Sequence, residues 1–199
     1  MGYERKDARY RQAKAEGYRA RSAYKLIEMD RRARLLRPGA SVLDLGAGPG
    51  GWLQVTAERV GRNGRVVGVD LIPIDPLPDS NVSCLTGDLR QPEVRAALRE
   101  ALGQPADVVL CDASPKLTGV RATDEARGEE LTDAILSALP ELLARGGSLL
   151  MKTFMRDAEM GLARRLRGWF DAVRVLRPDA SRKGSAECYL LAEGFQSCR

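Results

Sequence analysis

The chain contains no histidine among its 199 residues. That absence excludes imidazole acid–base chemistry, a Ser-His-Asp hydrolase and a His-ligated metal, leaving Lys, Asp, Glu, Tyr or Cys as proton acceptors. Cysteine is sparse: Cys84, Cys111, Cys188 and Cys198 show no Cys-x-x-Cys spacing, so they read as free thiols and no metal site is expected. Aromatics make up only 5% of the chain, and no apolar run approaches the roughly 20 residues of a membrane helix. The opening Met1-Gly2-Tyr3-Glu4-Arg5-Lys6 has no apolar stretch behind its charges. It does not read as a secretory signal, and a cytoplasmic location is the expectation. Repeats, low-complexity tracts and linkers are missing too, so one domain over residues 1–199 is expected, with a monomer as the default.

What is present is a globular composition, 44% hydrophobic and 30% charged, with its charge unevenly placed. Residues 1–37 hold 12 Lys and Arg against 5 acids, a net of +7, whereas the whole chain carries only +5. This basic segment, read as one or two helices packed ahead of the rest, suggests a polyanion partner, because neutralising phosphates releases counterions. Composition alone does not separate RNA from DNA, or either from a merely solvated arginine-rich helix.

From Ser41 onward, short apolar runs alternate with amphipathic stretches, the pattern of parallel strands covered by helices in an α/β fold. Strands are predicted over Ser41–Leu45, Arg65–Asp70, Val82–Leu85, Asp107–Cys111, Ser148–Thr153, Ala172–Leu176 and Glu187–Ala192. Helices are predicted over Gly51–Arg59, Pro92–Leu102, Glu125–Leu143 and Asp157–Trp169, and Arg145-Gly146-Gly147 reads as a helix stop.

The first strand passes through Gly46-Ala47-Gly48-Pro49-Gly50-Gly51-Trp52 into a helix. Glycines there let the backbone turn sharply and approach a ligand. Pro49 removes a backbone donor that a pyrophosphate cradle would use, so a ligand without a diphosphate suits the turn better. S-adenosylmethionine is such a ligand. Asp70 closes the second strand, where a carboxylate can accept ribose hydroxyls, and Asp88 follows the third, placed to meet an adenine amino group. Either could be an ordinary loop acid; in order at successive strand ends they favour a cofactor site, though a nicotinamide enzyme also wants the first of them.

Asp112 ends the apolar run Val108-Val109-Leu110-Cys111, Lys152 ends Ser148-Leu149-Leu150-Met151, and Glu187 opens the last strand. A lysine within a core strand is costly unless paired, so Lys152 is either salt-bridged or functional. With Lys25 on the basic segment, two lysines and two carboxylates could converge without any histidine.

Arg21-Ser22-Ala23-Tyr24-Lys25-Leu26, the strand and glycine turn through Trp52, Asp112-Ala113-Ser114-Pro115, Met151-Lys152-Thr153-Phe154 and Ser185-Ala186-Glu187-Cys188-Tyr189 together resemble the FtsJ/RrmJ family of RNA 2′-O-methyltransferases. The likeness runs from about Lys6 to Phe195. It implies a Rossmann-like class I methyltransferase fold: a seven-stranded, mostly parallel sheet with the last strand antiparallel and helices on both faces. It implies S-adenosylmethionine as cofactor, contacted by Gly46, Gly48, Gly50, Gly51, Trp52, Asp70, Asp88, Leu89 and Asp112. It further implies a catalytic tetrad of Lys25, Asp112, Lys152 and Glu187, with Lys152 accepting the proton. A free lysine, with a pKa of about 10.4, is protonated at neutral pH. Burial and the Lys25 charge would favour the neutral amine, while Asp112 and Glu187 would favour the ammonium. The implied substrate is a ribose of RNA, first a uridine of large-subunit ribosomal RNA within the subunit, with transfer RNA as the alternative. Arg19, Arg21, Lys25, Arg31 and Arg34, with Arg182 and Lys183, would grip phosphates. Two other classes stay open: a nicotinamide oxidoreductase on the same fold, and a ribosome-assembly factor that senses the cofactor without catalysis.

Overall fold

The structure is a computed structural model that describes residues 8–114, 118–154, 161–180 and 186–196. Seven strands form one sheet: β1 (Ser41–Leu45), β2 (Arg65–Asp70), β3 (Val82–Thr86), β4 (Ala106–Cys111), β5 (Leu143–Phe154), β6 (Phe170–Leu176) and β7 (Glu187–Phe195), in the order β3-β2-β1-β4-β5-β7-β6. β1 pairs in parallel with β2 and β4, and β7 runs antiparallel to both β5 and β6. The expected mostly parallel sheet with a reversed last strand is therefore observed.

Helices cover both faces because each strand presents alternate residues to opposite sides. Leu43, Val67, Val109, Leu149 and Leu190 pack on one face with Leu98 and Leu102 of α4 (Pro92–Leu102), Ile135 and Leu139 of α5 (Arg121–Leu142) and Leu166 of α6 (Ala163–Arg167). Val42, Val66, Val108, Leu110, Leu150 and Leu191 pack on the other with Leu26 and Met29 of α2 (Ala23–Ala33) and Leu53 and Val55 of α3 (Gly51–Val60). Each such fully buried side chain contributes about 1.5–3 kcal/mol of transfer free energy. The short α1 (Ala8–Ala15) precedes them, so the basic segment holds two helices among its described residues.

Local chemistry sets the ends. α4 starts with Pro92 in its first turn and stops at Gly103, whose left-handed backbone lets its N–H reach the carbonyls of Arg99 and Glu100. α5 begins four residues earlier than its periodicity indicates. Arg145-Gly146-Gly147 does not stop the helix: the chain enters β5 directly at Leu143, and the three residues form an irregularity where Ala106 pairs with Leu143 but Val108 with Ser148. Gly146, at φ +78°, absorbs that step. Of the helix expected over 157–169, the part before residue 161 lies outside the described residues. Cys84, Cys111 and Cys188 are free thiols, and Cys198 lies outside the described residues.

Candidate active site

The strand order reverses between β1 and β4, and a parallel sheet opens a crevice at the C-terminal ends of the two strands flanking such a switch. The glycine turn leaves β1 there, and Asp112 follows β4. Strand parity then sorts the charged residues. Asp44 shares the face of Val42, Lys152 that of Leu150, and Glu187 and Tyr189 that of Leu191, which is the face covered by α2 and α3. Lys25 reaches the same place from α2.

The structure brings all four residues of the expected tetrad together. Lys25 Nζ lies 2.5 Å from Glu187 Oε1, and Lys152 Nζ lies 3.3 Å from Asp112 Oδ1 while donating to the Asp112 carbonyl at 2.7 Å. Tyr189 stands between the pairs: its hydroxyl donates to Asp112 Oδ1 at 2.7 Å and accepts from Lys25 Nζ at 3.3 Å. The lysine side chains are only 9% and 13% exposed, so water screens these pairs weakly.

The glycine turn is held by its own backbone. Gly46 at φ +74° and Ala47 both donate to the Val69 carbonyl, and Gly50 at φ +107° leads into α3. A β-carbon on Gly46 would sit 2.6 Å from the Ala113 side chain, so the close approach of turn and β4 end excludes any other residue. Asp70, expected to receive ribose hydroxyls, accepts the N–H of Gly48 at 2.8 Å and that of Ile72 at 3.1 Å, with Gly48 too near for a β-carbon. Asp88 does not turn to the crevice. Its carboxylate is clasped by the Arg90 side chain and backbone N–H, which hold it below the usual carboxylate range. Leu89 packs against the core beside α4.

Ser22, Asp44, Gly46, Ala47, Gly48, Gly51, Trp52 and Asp112 line the crevice. Asp44, in the strand that leads into the glycine turn, is fully buried, and neither of its carboxylate oxygens finds a hydrogen-bond partner among the described residues. Burial, then the neighbouring Asp112 and Asp70 charges, push its pKa well up. An unpaired buried acid beside an open crevice fits a ligand that brings a cation or a donor. Tyr189 was likewise missed, since a tyrosine in an apolar strand carries no signal of its own.

Residues 17–22 cross over the turn. The Arg19 guanidinium donates to the carbonyls of Pro49, Asp75 and Pro76, Arg19 N–H to Gln54, and Trp52 Nε1 to the Ser22 carbonyl. Arg19 was expected to grip phosphates; its guanidinium makes three hydrogen bonds to backbone carbonyls of the protein. Arg31 and Arg34 are exposed, whereas Arg182 and Lys183 lie outside the described residues.

The sequence profile described as FtsJ-like methyltransferase matches residues 18–195. The chain belongs to the FtsJ-like methyltransferase family. It is 46% identical over 193 residues to the ribosomal RNA large subunit methyltransferase E of Halorubrum lacusprofundi, covering 96% of this chain and 72% of that protein. It is 46% identical over 186 residues to the protein of the same name from an Azoarcus species, covering 93% and 90%. A ribosomal RNA methyltransferase structure from Plasmodium falciparum matches this FtsJ-like chain with a TM-score of 0.77 at 30% identity, over 89% of this chain and 98% of that one. Aeropyrum pernix fibrillarin, solved with natively bound S-adenosylmethionine, matches with a TM-score of 0.58 at 19% identity, over 88% and 75%, a likeness of fold alone.

Proposed function

We propose that this FtsJ-like chain methylates the 2′-hydroxyl of a ribose, a uridine of large-subunit ribosomal RNA, using S-adenosylmethionine. The observation that carries the reading is the convergence of Lys25, Asp112, Lys152 and Glu187 at the sheet's switch point, next to a crevice walled by an acid with no partner among the described residues. The names of the relatives supply the ribosomal substrate.

S-adenosylmethionine supplies, when bound, an electrophilic sulfonium methyl. Gly46, Gly48, Gly50, Gly51 and Trp52 would form the floor of its site, Asp70 and Asp88 with Leu89 the side toward ribose and adenine, and Asp112 the side toward the reacting centre. For Asp88 to serve, its carboxylate must exchange Arg90 for the ligand. Asp44 would face the ligand's ammonium group, relieving its own isolation.

Lys152 would take the hydroxyl proton at Nζ in its neutral form, with Asp112 orienting that amine through both its carboxylate and its carbonyl. Lys25, held by Glu187, would fix the substrate ribose from the opposite side. Alignment of this kind supplies much of the rate of a displacement. The basic segment of residues 1–37 would dock ribosomal RNA as part of the same domain, with the chain acting as a cytoplasmic monomer on the assembled subunit.

The test is methyl transfer from labelled S-adenosylmethionine to large ribosomal subunits and to bulk transfer RNA, with 2′-O-methyl sites mapped. Label is expected on a ribosomal uridine and to fall by about 100-fold or more in Lys152→Ala, the range of a lost general base. Label on transfer RNA alone would reassign the substrate. No label on either RNA, despite cofactor binding, would overturn the proposal.

A further inference from the structure

We infer that the Tyr189 hydroxyl is a positioning group that links the two lysine–carboxylate pairs and sets how firmly Asp112 holds Lys152. The inference rests on the reading of Lys152 as the proton acceptor.

Tyr189 is fully buried in β7, its ring tilted against Trp52 with centroids 5.8 Å apart. A buried tyrosine usually needs one partner for its hydroxyl. This one meets three charged side chains: Asp112 Oδ1 at 2.7 Å, Lys25 Nζ at 3.3 Å and Glu187 Oε1 at 3.5 Å. A phenol has one proton to give, and an ammonium group only donates. The oxygen therefore accepts from Lys25 and gives its proton to a carboxylate, and the shorter contact selects Asp112. Burial first, then the Asp112 and Glu187 carboxylates, raise the phenol far above its ordinary range, so it stays a neutral donor while the reaction runs. Glu187, Lys25, Tyr189, Asp112 and Lys152 thus form a single file of contacts across α2, β7, β4 and β5.

Asp112 Oδ1 serves two donors at once, the Tyr189 hydroxyl and Lys152 Nζ. A hydrogen bond from the phenol draws on the carboxylate's charge and weakens the attraction that favours the ammonium form of Lys152. The groups that face this file are Lys25 from α2, Glu187 from β7, Asp112 and Lys152 themselves, and Asp44 from β1, whose charge is felt at Asp112. Removing the phenol oxygen alters the Asp112, Lys25 and Glu187 links and leaves Asp44 in place. Asp112 would then hold the Lys152 ammonium more tightly, and a higher pH would be needed to free the amine.

The experiment measures kcat/KM for large ribosomal subunits from about pH 6 to about pH 9.5, in the range where a catalytic base shows its titration. It compares the wild type, Tyr189→Phe and a protein with 3-fluorotyrosine in place of Tyr189. With phenylalanine, which keeps the ring packing, the acidic limb is expected to move up by about 0.5–1 pH unit, about 3–10-fold in rate at a fixed pH on the limb. The cofactor Kd should stay within about twofold, because the tyrosine itself does not line the crevice. The fluorinated phenol, a stronger donor, should move the limb the other way. Limbs that superimpose on the wild type, with or without a lower kcat, would overturn the inference and leave Tyr189 a packing residue. Should the phenylalanine variant fail to fold, the fluorinated protein decides alone, an unmoved limb again overturning the inference. Lys152→Ala run alongside separates the two readings. If it keeps the wild-type rate, the assignment of Lys152 falls; if it is inactive while the Tyr189→Phe profile is unshifted, only the role of Tyr189 falls.

Discussion

Asp44 is fully buried at the fourth position of a five-residue strand, and neither carboxylate oxygen meets a donor among the described residues. Desolvation, reinforced by the Asp112 and Asp70 charges, raises its pKa in the folded protein well above 3.8. The folded state therefore holds this proton more tightly than the unfolded chain does. Stability falls as pH rises from the unfolded value toward the raised one, and the loss is complete above it. Asp44→Asn removes the ionisation and keeps the shape. Without cofactor, the variant is expected to melt higher than the wild type at pH about 8 by about 2–8 °C, and the difference should vanish below pH about 4. S-adenosylmethionine should bind the variant about tenfold or more weakly, since a buried charge lacking its counterpart loses both attraction and hydrogen bonding. Scanning calorimetry at the two pH values with a cofactor titration checks both. A variant that melts lower and binds equally well would make Asp44 a structural residue. The thiol one strand away shows the opposite use of burial: Cys111 is pushed up to about 12 by desolvation, which leaves it inert.

Elements were legible in the sequence where side-chain periodicity was the whole cause. All seven strands lie where apolar runs predict them: the central β1, β2 and β4 are buried on both faces and are written as such runs, while the edge strands β3 and β6 are half-exposed. The start of β5 was not legible, since Gly146-Gly147 carries the same signal for a helix stop as for a kinked strand. Lys152 and Asp112 stood out as charges at the ends of core strands, an argument that applies equally to Asp44 but was masked there by the glycines beside it. The carbonyl contacts of Arg19 were not legible, because charge counting does not show what a guanidinium meets. The turn after β1 follows the backbone rule most strictly. Gly46→Ala places a β-carbon 2.6 Å from Ala113 at φ +74°. It is expected to destabilise by about 1–3 kcal/mol and to weaken cofactor binding by more than about tenfold, as the strand end shifts. Gly128→Ala, in the interior of α5 with open space around it, should instead stabilise by about 0.5–1 kcal/mol. Urea denaturation of the two variants decides whether position or residue type governs; equal effects would contradict the account of the turn.

Over the whole molecule, charge is divided by segment: residues 1–37 carry +7 within a chain of net +5, so the body beyond them is slightly acidic. Several cations in that segment make contacts within the protein. Lys25 is paired with Glu187, Arg19 with carbonyls, and Arg32 with Glu28, Asp179 and the Arg177 carbonyl. Among the described residues, Arg9, Arg11 and Lys14 on α1 and Arg31, Arg34 and Arg37 at and after the end of α2 are exposed. If the segment docks RNA, these side chains replace condensed counterions, and log affinity must fall linearly with log salt at about 0.7–0.9 per phosphate neutralised. Changing Arg9, Arg11 and Lys14 together to Gln is then expected to reduce the slope by about 2–3, and to raise KM for ribosomal subunits while moving kcat little. Fluorescence binding titrations at four salt concentrations, paired with initial rates, read both quantities. A slope that does not change would move the docking surface off the first helix, toward Arg31, Arg34 and Arg37 at the end of α2. A drop in kcat at an unchanged slope would mean that α1 acts through residues 17–22 on the glycine turn they cross, and not through phosphates at all.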